Sequence, residues 1–103
     1  MDFYSFRFGD MKMVQADAAS QKLMAVEMEL GFRRPDCHTV EALTLTVHIP
    51  HDPNQTVTTT QREAFNAAVN LLRSAAGYCA GKDPEQLCQE TERNKAFAVT
   101  SGG

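Results

Sequence analysis

The sequence has no apolar run that approaches the ~20 residues a membrane-spanning helix needs. Residues 1–10 show no basic region followed by a purely apolar stretch, so we expect no signal peptide. Cysteine is sparse: Cys37, Cys79 and Cys88 form an odd number without a dense pattern, which is typical of free thiols in a reducing compartment. These absences predict a cytoplasmic protein without a membrane anchor.

The sequence also lacks an excess of either charge. Ten basic and thirteen acidic residues give a formal net charge of −3, and no run of like charges forms a tail or arm. A protein that binds duplex nucleic acid usually carries a basic face, which releases counterions on binding. The composition therefore disfavours nucleic acid as the main partner, and leaves Arg7, Arg33 and Arg34 as its candidate contacts.

Sequence motifs of catalysis and cofactor binding are missing. The chain contains no Gly-x-Gly-x-x-Gly, Walker loop, Gly-x-Ser-x-Gly or His-Glu-x-x-His. Cys37 and His38 at one place, with His48 and His51 at another, are the candidate metal or nucleophile cluster. At about 3.4 Å per residue, a strand over residues 39–49 separates these two pairs by more than about 30 Å. We therefore predict no metal, no cofactor and no catalytic residue, with a small enzyme using Cys37 and His38 as the less favoured alternative.

The composition of the sequence is typical of a small globular domain. Its 103 residues, of which 43% are hydrophobic and 22% charged, suit one small domain. A chain of this length buries roughly two-thirds of the surface that its unfolded form exposes. Its net stability is then about 5–10 kcal/mol, so association with a second chain would be a useful gain.

Alternation of apolar and polar residues predicts strands in the first half. Residues 3–8 place Tyr4, Phe6 and Phe8 on one face, opposite to Phe3. Gly9-Asp10 is a signal for a tight hairpin, and a single strand followed by a long loop explains the segment equally well. Residues 14–21 are polar and alanine-rich, and we expect a loop or one helical turn there.

Residues 22–33 and 39–50 alternate more regularly. Because a Pro35-Asp36 turn signal separates them, they predict an antiparallel hairpin with one apolar face. The apolar face consists of Met24, Val26, Met28, Leu30 and Phe32 with Leu43, Leu45, Val47 and Ile49. The opposite face, with Glu27 and Glu29 near Glu41, is expected to be solvated.

Two helices are predicted after the strands. The first begins near Thr58 or Thr60 and continues to about Ala80, and the second begins with Asp83 as its cap and Pro84 as its first residue. The fold class is therefore α+β: an antiparallel three- or four-stranded sheet followed by one long and one shorter C-terminal helix packed on one face. We expect residues 1–99 to form this single domain and 100–103 a flexible tail.

The long helix carries more apolar surface than the sheet needs. Two stripes merge into an arc of about 200°. The first, expected to pack on the sheet, contains Phe65, Ala68, Val69, Leu72, Ala76 and Cys79. The second contains Ala64, Ala67, Leu71, Ala75 and Tyr78, and the narrow stripe of the second helix cannot cover it.

This surplus predicts a non-enzymatic interaction protein, either a homodimer or a binder of another protein. Its interface would be the second stripe, in which small alanines allow close approach and Leu71 and Tyr78 act as anchors. We expect an accessory or regulatory protein of bacterial or phage type. The alternative is a regulator or inhibitor that contacts nucleic acid, or a nucleic-acid enzyme, through Arg7, Arg33 and Arg34.

Overall fold

A computed structural model describes the backbone of residues 1–16 and 21–102, and the side chains of residues 1–15 and 22–96. Its elements are β1 (Asp2–Ala16), β2 (Gln21–Arg33), β3 (Val40–Pro50), α1 (Val57–Cys79) and α2 (Pro84–Gly102). The fold is α+β, as predicted, with a three-stranded antiparallel sheet followed by a long and a shorter helix. The chain divides into two compact units, Met1–Leu71 and Leu72–Gly103.

The β2–β3 hairpin is the most regular part of the first unit. The strands pair without a break from Leu23 opposite Pro50 to Arg33 opposite Val40. The loop is closed by the Arg34 N–H, which donates to the carbonyl of Thr39 at 2.8 Å. The apolar faces predicted from alternation are confirmed, because the buried residues of both strands lie on them: Val26, Met28, Val47 and Ile49.

Strand β1 differs from its prediction. It is one continuous strand through Ala16, so both the hairpin at Gly9-Asp10 and the loop over residues 14–16 were wrong; residues 17–20 lie outside the described residues. Pairing along the full length of β2 supplies more backbone hydrogen bonds than a short local hairpin could. Gly9 lies within the strand, where a β-carbon would lie 2.8 Å from Glu27 Oε1, an atom at the end of a flexible side chain.

Two bulges interrupt the pairing of β1 with β2, so that 15 residues of β1 lie opposite 13 of β2. Each bulge inserts one residue and thereby reverses the alternation of faces. The bulge after Phe8 brings Met11 to the core face beside Phe8. The bulge after Phe3 separates Tyr4 from Phe6, and the Tyr4 ring lies 4.9 Å from the Arg33 guanidinium. The predicted grouping of Tyr4 with Phe6 was therefore wrong.

The core of the first unit lies between the sheet and the first half of α1. Ala64 and Ala68 are buried against the four buried strand residues. A ring of partly buried side chains surrounds them: Phe6, Phe8, Met11, Met24, Leu45 and Ala67. Because alanine is small, the helix axis can approach the sheet closely at this point.

The helix starts show one error and one confirmed prediction. Helix α1 begins at Val57, capped by Thr56 Oγ1, which accepts the Thr59 N–H at 3.1 Å, so the predicted starts at Thr58 and Thr60 were too late. Helix α2 begins at Pro84 as predicted, and Asp83 Oδ1 accepts the Gln86 N–H at 3.0 Å. Within the described part of the chain, neither helix is long and apolar enough to cross a membrane.

Candidate functional site

The predicted interface stripe does not form one exposed surface. Ala64 is 0% exposed and Ala67 is half-buried beside it, whereas Leu71 is exposed. The sheet contacts the middle of the apolar arc of α1, and so takes Ala64 from the second stripe and Ala68 from the first. A sequence pattern shows how wide an apolar arc is, but not where the sheet meets it.

The other two residues of that stripe belong to the second unit. Ala75 and Tyr78 are exposed there. The Tyr78 hydroxyl donates to Glu90 Oε2 at 2.7 Å, and Lys82 Nζ lies 3.2 Å from the centre of the Tyr78 ring. Cys79, predicted to be a core residue, is exposed. The buried residues of α1 are Ala64 and Ala68. Cys79 is not buried as they are.

A second apolar surface is exposed on the sheet itself, in the first unit. At the end nearest the β2–β3 loop, the core face continues beyond the region that α1 covers. Phe3 is 60% exposed and Leu43 is 42% exposed, while Val26 on the same face is fully buried. We call this surface the open apolar end, and its members are Phe3, Leu30, Phe32 and Leu43.

The pairing of the strands makes the open apolar end continuous. Phe3 lies opposite Phe32, with ring centroids 6.0 Å apart, and Leu43 lies opposite Leu30. Phe32 and Leu30 are half-buried between their exposed neighbours. The surface therefore crosses all three strands, with one aromatic ring and one leucine projecting furthest into solvent.

Charged residues border the open apolar end at the hairpin loop. Arg34 is ion-paired with Asp36 at 3.2 Å and with Glu41 at 3.3 Å. Glu41 lies opposite Phe32, so its predicted place near Glu27 was wrong. The reason is parity: Glu41 shares the face of Leu43, because side chains two residues apart in a strand lie on one side.

The three candidate nucleic-acid contacts each have a neighbour within the first unit. Arg7 Nε donates to Glu29 Oε1 at 3.2 Å, and this hydrogen bond, with the charge of Glu29, raises the pKa of Arg7 above its ordinary value. Arg34 has its two carboxylate partners, and Arg33 lies over the ring of Tyr4. The structure does not combine the three into one free basic surface.

Cys37 and His38 occupy the β2–β3 loop without forming a nucleophile and base pair. The Cys37 thiol donates to Thr39 Oγ1 at 3.2 Å, and the His38 backbone takes a positive φ of 56°. Cys37, Cys79 and Cys88 are free and exposed. In the described segments, no group of three or more His, Cys, Asp and Glu residues is placed to hold a metal ion.

A shallow groove of about 200 Å³ lies on the outer face of the sheet, beside the second bulge. It is lined by Asp10, Lys12, Ala25, Glu27 and Thr46. Two carboxylates and one ammonium group line it, and neither a thiol nor an imidazole does. The groove offers polar and charged contacts on an otherwise solvated face.

The open apolar end was missed at the sequence level, although a signal for it exists. The apolar face of β2 runs from Met24 to Phe32, about 27 Å at 3.3–3.4 Å per residue. A helix is only about 10 Å wide, so one that crosses this face leaves part of it uncovered.

Comparison of the chain with protein-family models, curated proteins and solved structures finds no match.

Proposed function

We propose that this chain is a non-enzymatic, cytoplasmic interaction protein of accessory or regulatory type. It binds another protein chain, either a second copy or a different protein, through the open apolar end. The observation that supports this is the exposure of Phe3 and Leu43 on the same sheet face that buries Val26 and Met28. Contiguous exposed apolar surface with a polar border is typical of protein-binding sites.

The energetics favour a protein partner over solvent. Full burial of a Phe or Leu side chain stabilises by about 1.5–3 kcal/mol. A partner that covers Phe3 and Leu43 gains part of this from each, because Phe3 is 60% exposed and Leu43 is 42% exposed. Arg34, Asp36 and Glu41 at the border supply the hydrogen-bonding groups that give such an interface its orientation.

The alternative of a nucleic-acid contact has less support. Arg7 and Arg34 are close to carboxylates, and a phosphate would have to compete with these for the guanidinium groups. The alternative of a small enzyme at Cys37 and His38 has less support still, because the described hydrogen bond of the thiol goes to Thr39.

The test compares two exposed apolar residues of one strand. Phe3→Glu places a charge in the open apolar end, and Met13→Glu places the same charge at the far end of β1, where Met13 is 53% exposed. We expect Phe3→Glu to abolish the association that covers the open apolar end, and Met13→Glu to leave it intact. Sedimentation velocity measures self-association, and capture from lysate of the source cells, quantified by mass spectrometry, measures other partners.

Circular dichroism establishes that both variants are folded. Equal loss in both variants would contradict a role for the open apolar end. A wild-type chain that neither self-associates nor captures a protein would contradict the proposed function as a whole.

A further inference from the structure

The two free edges of the sheet are built differently. The free edge of β1 belongs to a strand with two bulges and with charged side chains at Asp2, Arg7, Asp10 and Lys12. Bulges and charges are devices by which proteins prevent another strand from pairing with an edge. The free edge of β3 has neither bulge: its 11 residues pair with β2 in unbroken register.

Strand β3 is also nearly without charge. From residue 42 to residue 49 it reads Ala-Leu-Thr-Leu-Thr-Val-His-Ile, and its single carboxylate, Glu41, stands at one end. When a strand pairs antiparallel with a copy of itself around a two-fold axis perpendicular to the sheet, residues of one face lie opposite residues of the same face. Thr44 and Thr46 then lie opposite outer-face residues, and Leu45 and Val47 opposite apolar ones.

Side-chain pairs that lie directly opposite one another across two strands stabilise a sheet. Self-pairing centred near Thr44 or Thr46 brings no like charges opposite one another. The strand is therefore complementary to itself in both charge and face. This self-complementarity favours a second copy over a different protein as the partner.

Two of the exposed apolar residues lie on this strand. Val40 is 40% exposed, and Leu43 belongs to the open apolar end. Pairing of two β3 edges places the core faces of both sheets on the same side. Leu43 of each copy then lies beside the aliphatic side chains of the other, and the apolar surface becomes continuous across the pair.

We propose that two copies of this chain pair antiparallel along β3, and so form one six-stranded sheet around a two-fold axis. This inference rests on the proposed function, because it makes one partner of the chain a second copy. Phe3 is on β1, at the opposite edge of the sheet, so Phe3→Glu is expected to leave this dimer intact.

Cysteine cross-linking tests the arrangement. Cys37, Cys79 and Cys88 are exposed and free, so all three are first replaced by serine. Thr44→Cys and Thr46→Cys are then made separately in this background. Directly opposed residues of antiparallel strands have their Cα atoms about 4.5–5.5 Å apart. This separation permits a disulfide, so the position at the two-fold axis is expected to yield a covalent dimer under mild oxidation.

Lys12→Cys, on the outer face of β1, is the matched control and is expected to stay uncross-linked. Light scattering of the uncross-linked protein should give twice the 11.4 kDa of the chain. The double variant Thr44→Lys/Thr46→Lys, which places like charges along the paired edge, should halve that mass while circular dichroism shows an unchanged fold.

Each outcome decides the matter. A strict monomer at all soluble concentrations, or a dimer that cross-links through Lys12→Cys instead of the β3 positions, overturns the inference. A monomer that still captures another protein, in a manner sensitive to Phe3→Glu, overturns it and leaves the proposed function standing. A monomer that captures nothing overturns both.

Discussion

The ring of Phe6 on β1 meets the ring of Phe65 on α1 edge to face, with the centroids 5.5 Å apart and the planes at 81°. This contact ties the bulged edge strand to the helix. A second edge-to-face contact joins the rings of Phe6 and Phe8 on the same strand, with the centroids 4.9 Å apart. Phe6 is therefore one of the β1 residues that join the edge strand to the core, with Phe8 and Met11.

The Phe6–Phe65 contact should be measurable as a coupling energy. We expect Phe6→Leu and Phe65→Leu to destabilise the protein separately, and a double-mutant cycle to give a coupling of about 0.5–1.5 kcal/mol. Urea denaturation followed by circular dichroism provides the four free energies of unfolding. Strict additivity of the two single substitutions would show that the rings do not act together.

Two alanines of the predicted interface stripe should respond in opposite ways to enlargement. Ala64 has no space around it, so Ala64→Leu should cost about 1–3 kcal/mol through overpacking. Ala75 is exposed, so Ala75→Leu should change stability by less than about 0.5 kcal/mol. Thermal denaturation of the two variants makes the comparison. Similar values for both would refute the burial of Ala64 against the sheet.

Gly31 is required by the close approach of its neighbours. A β-carbon at Gly31 would lie 2.6 Å from Ser5 Oγ and 3.4 Å from Val40 Cγ1. We expect Gly31→Ala to destabilise by about 1–3 kcal/mol. Ser5→Ala removes the nearest atom, so the double variant should recover part of the loss in chemical denaturation. A Gly31→Ala variant as stable as the wild type would contradict this packing.

The start of α1 can be tested at two neighbouring threonines. Thr56→Ala removes the side-chain oxygen that accepts the Thr59 N–H, at a cost of about 1 kcal/mol. Thr58→Ala lies one residue into the helix and should have an effect close to zero or slightly favourable, since alanine has the higher helix propensity. If denaturation instead shows the larger loss for Thr58→Ala, the helix begins later than Val57.

The nucleic-acid alternative makes a prediction about salt. If the partners of Arg7 and Arg34 hold these side chains, fluorescence anisotropy with labelled duplex and single-stranded oligonucleotides should show no binding even at low ionic strength. Binding that weakens steeply with added salt, and that Arg7→Ala or Arg34→Ala reduces, would favour the alternative over the proposed function.

Regular alternation made the central hairpin predictable from sequence. Val26, Met28, Val47 and Ile49 were placed on the core face because a strand with one buried side must alternate. Asp83 and Pro84 were equally clear, since a cap followed by proline describes the start of a helix by local chemistry alone.

The features that could not be predicted depend on contacts between distant segments. A bulge in β1 is visible only against the partner strand, and Gly9-Asp10 has the same composition as a hairpin turn. The contact line of α1 with the sheet depends on which alanines meet Met28 and Val47, and no local pattern determines that. The length of the apolar face of β2 signals that one helix leaves part of the face open, but which part stays open depends on where the helix lies.

The two extra residues of β1 have a consequence for assembly. A straight strand added to that side would lose its backbone pairing at both bulges, so β1 offers a poor template. The sheet of the described residues then has one edge competent for addition, the edge of β3. Association through that edge consumes it in both copies, so growth stops at two chains and an open-ended filament has no surface from which to propagate.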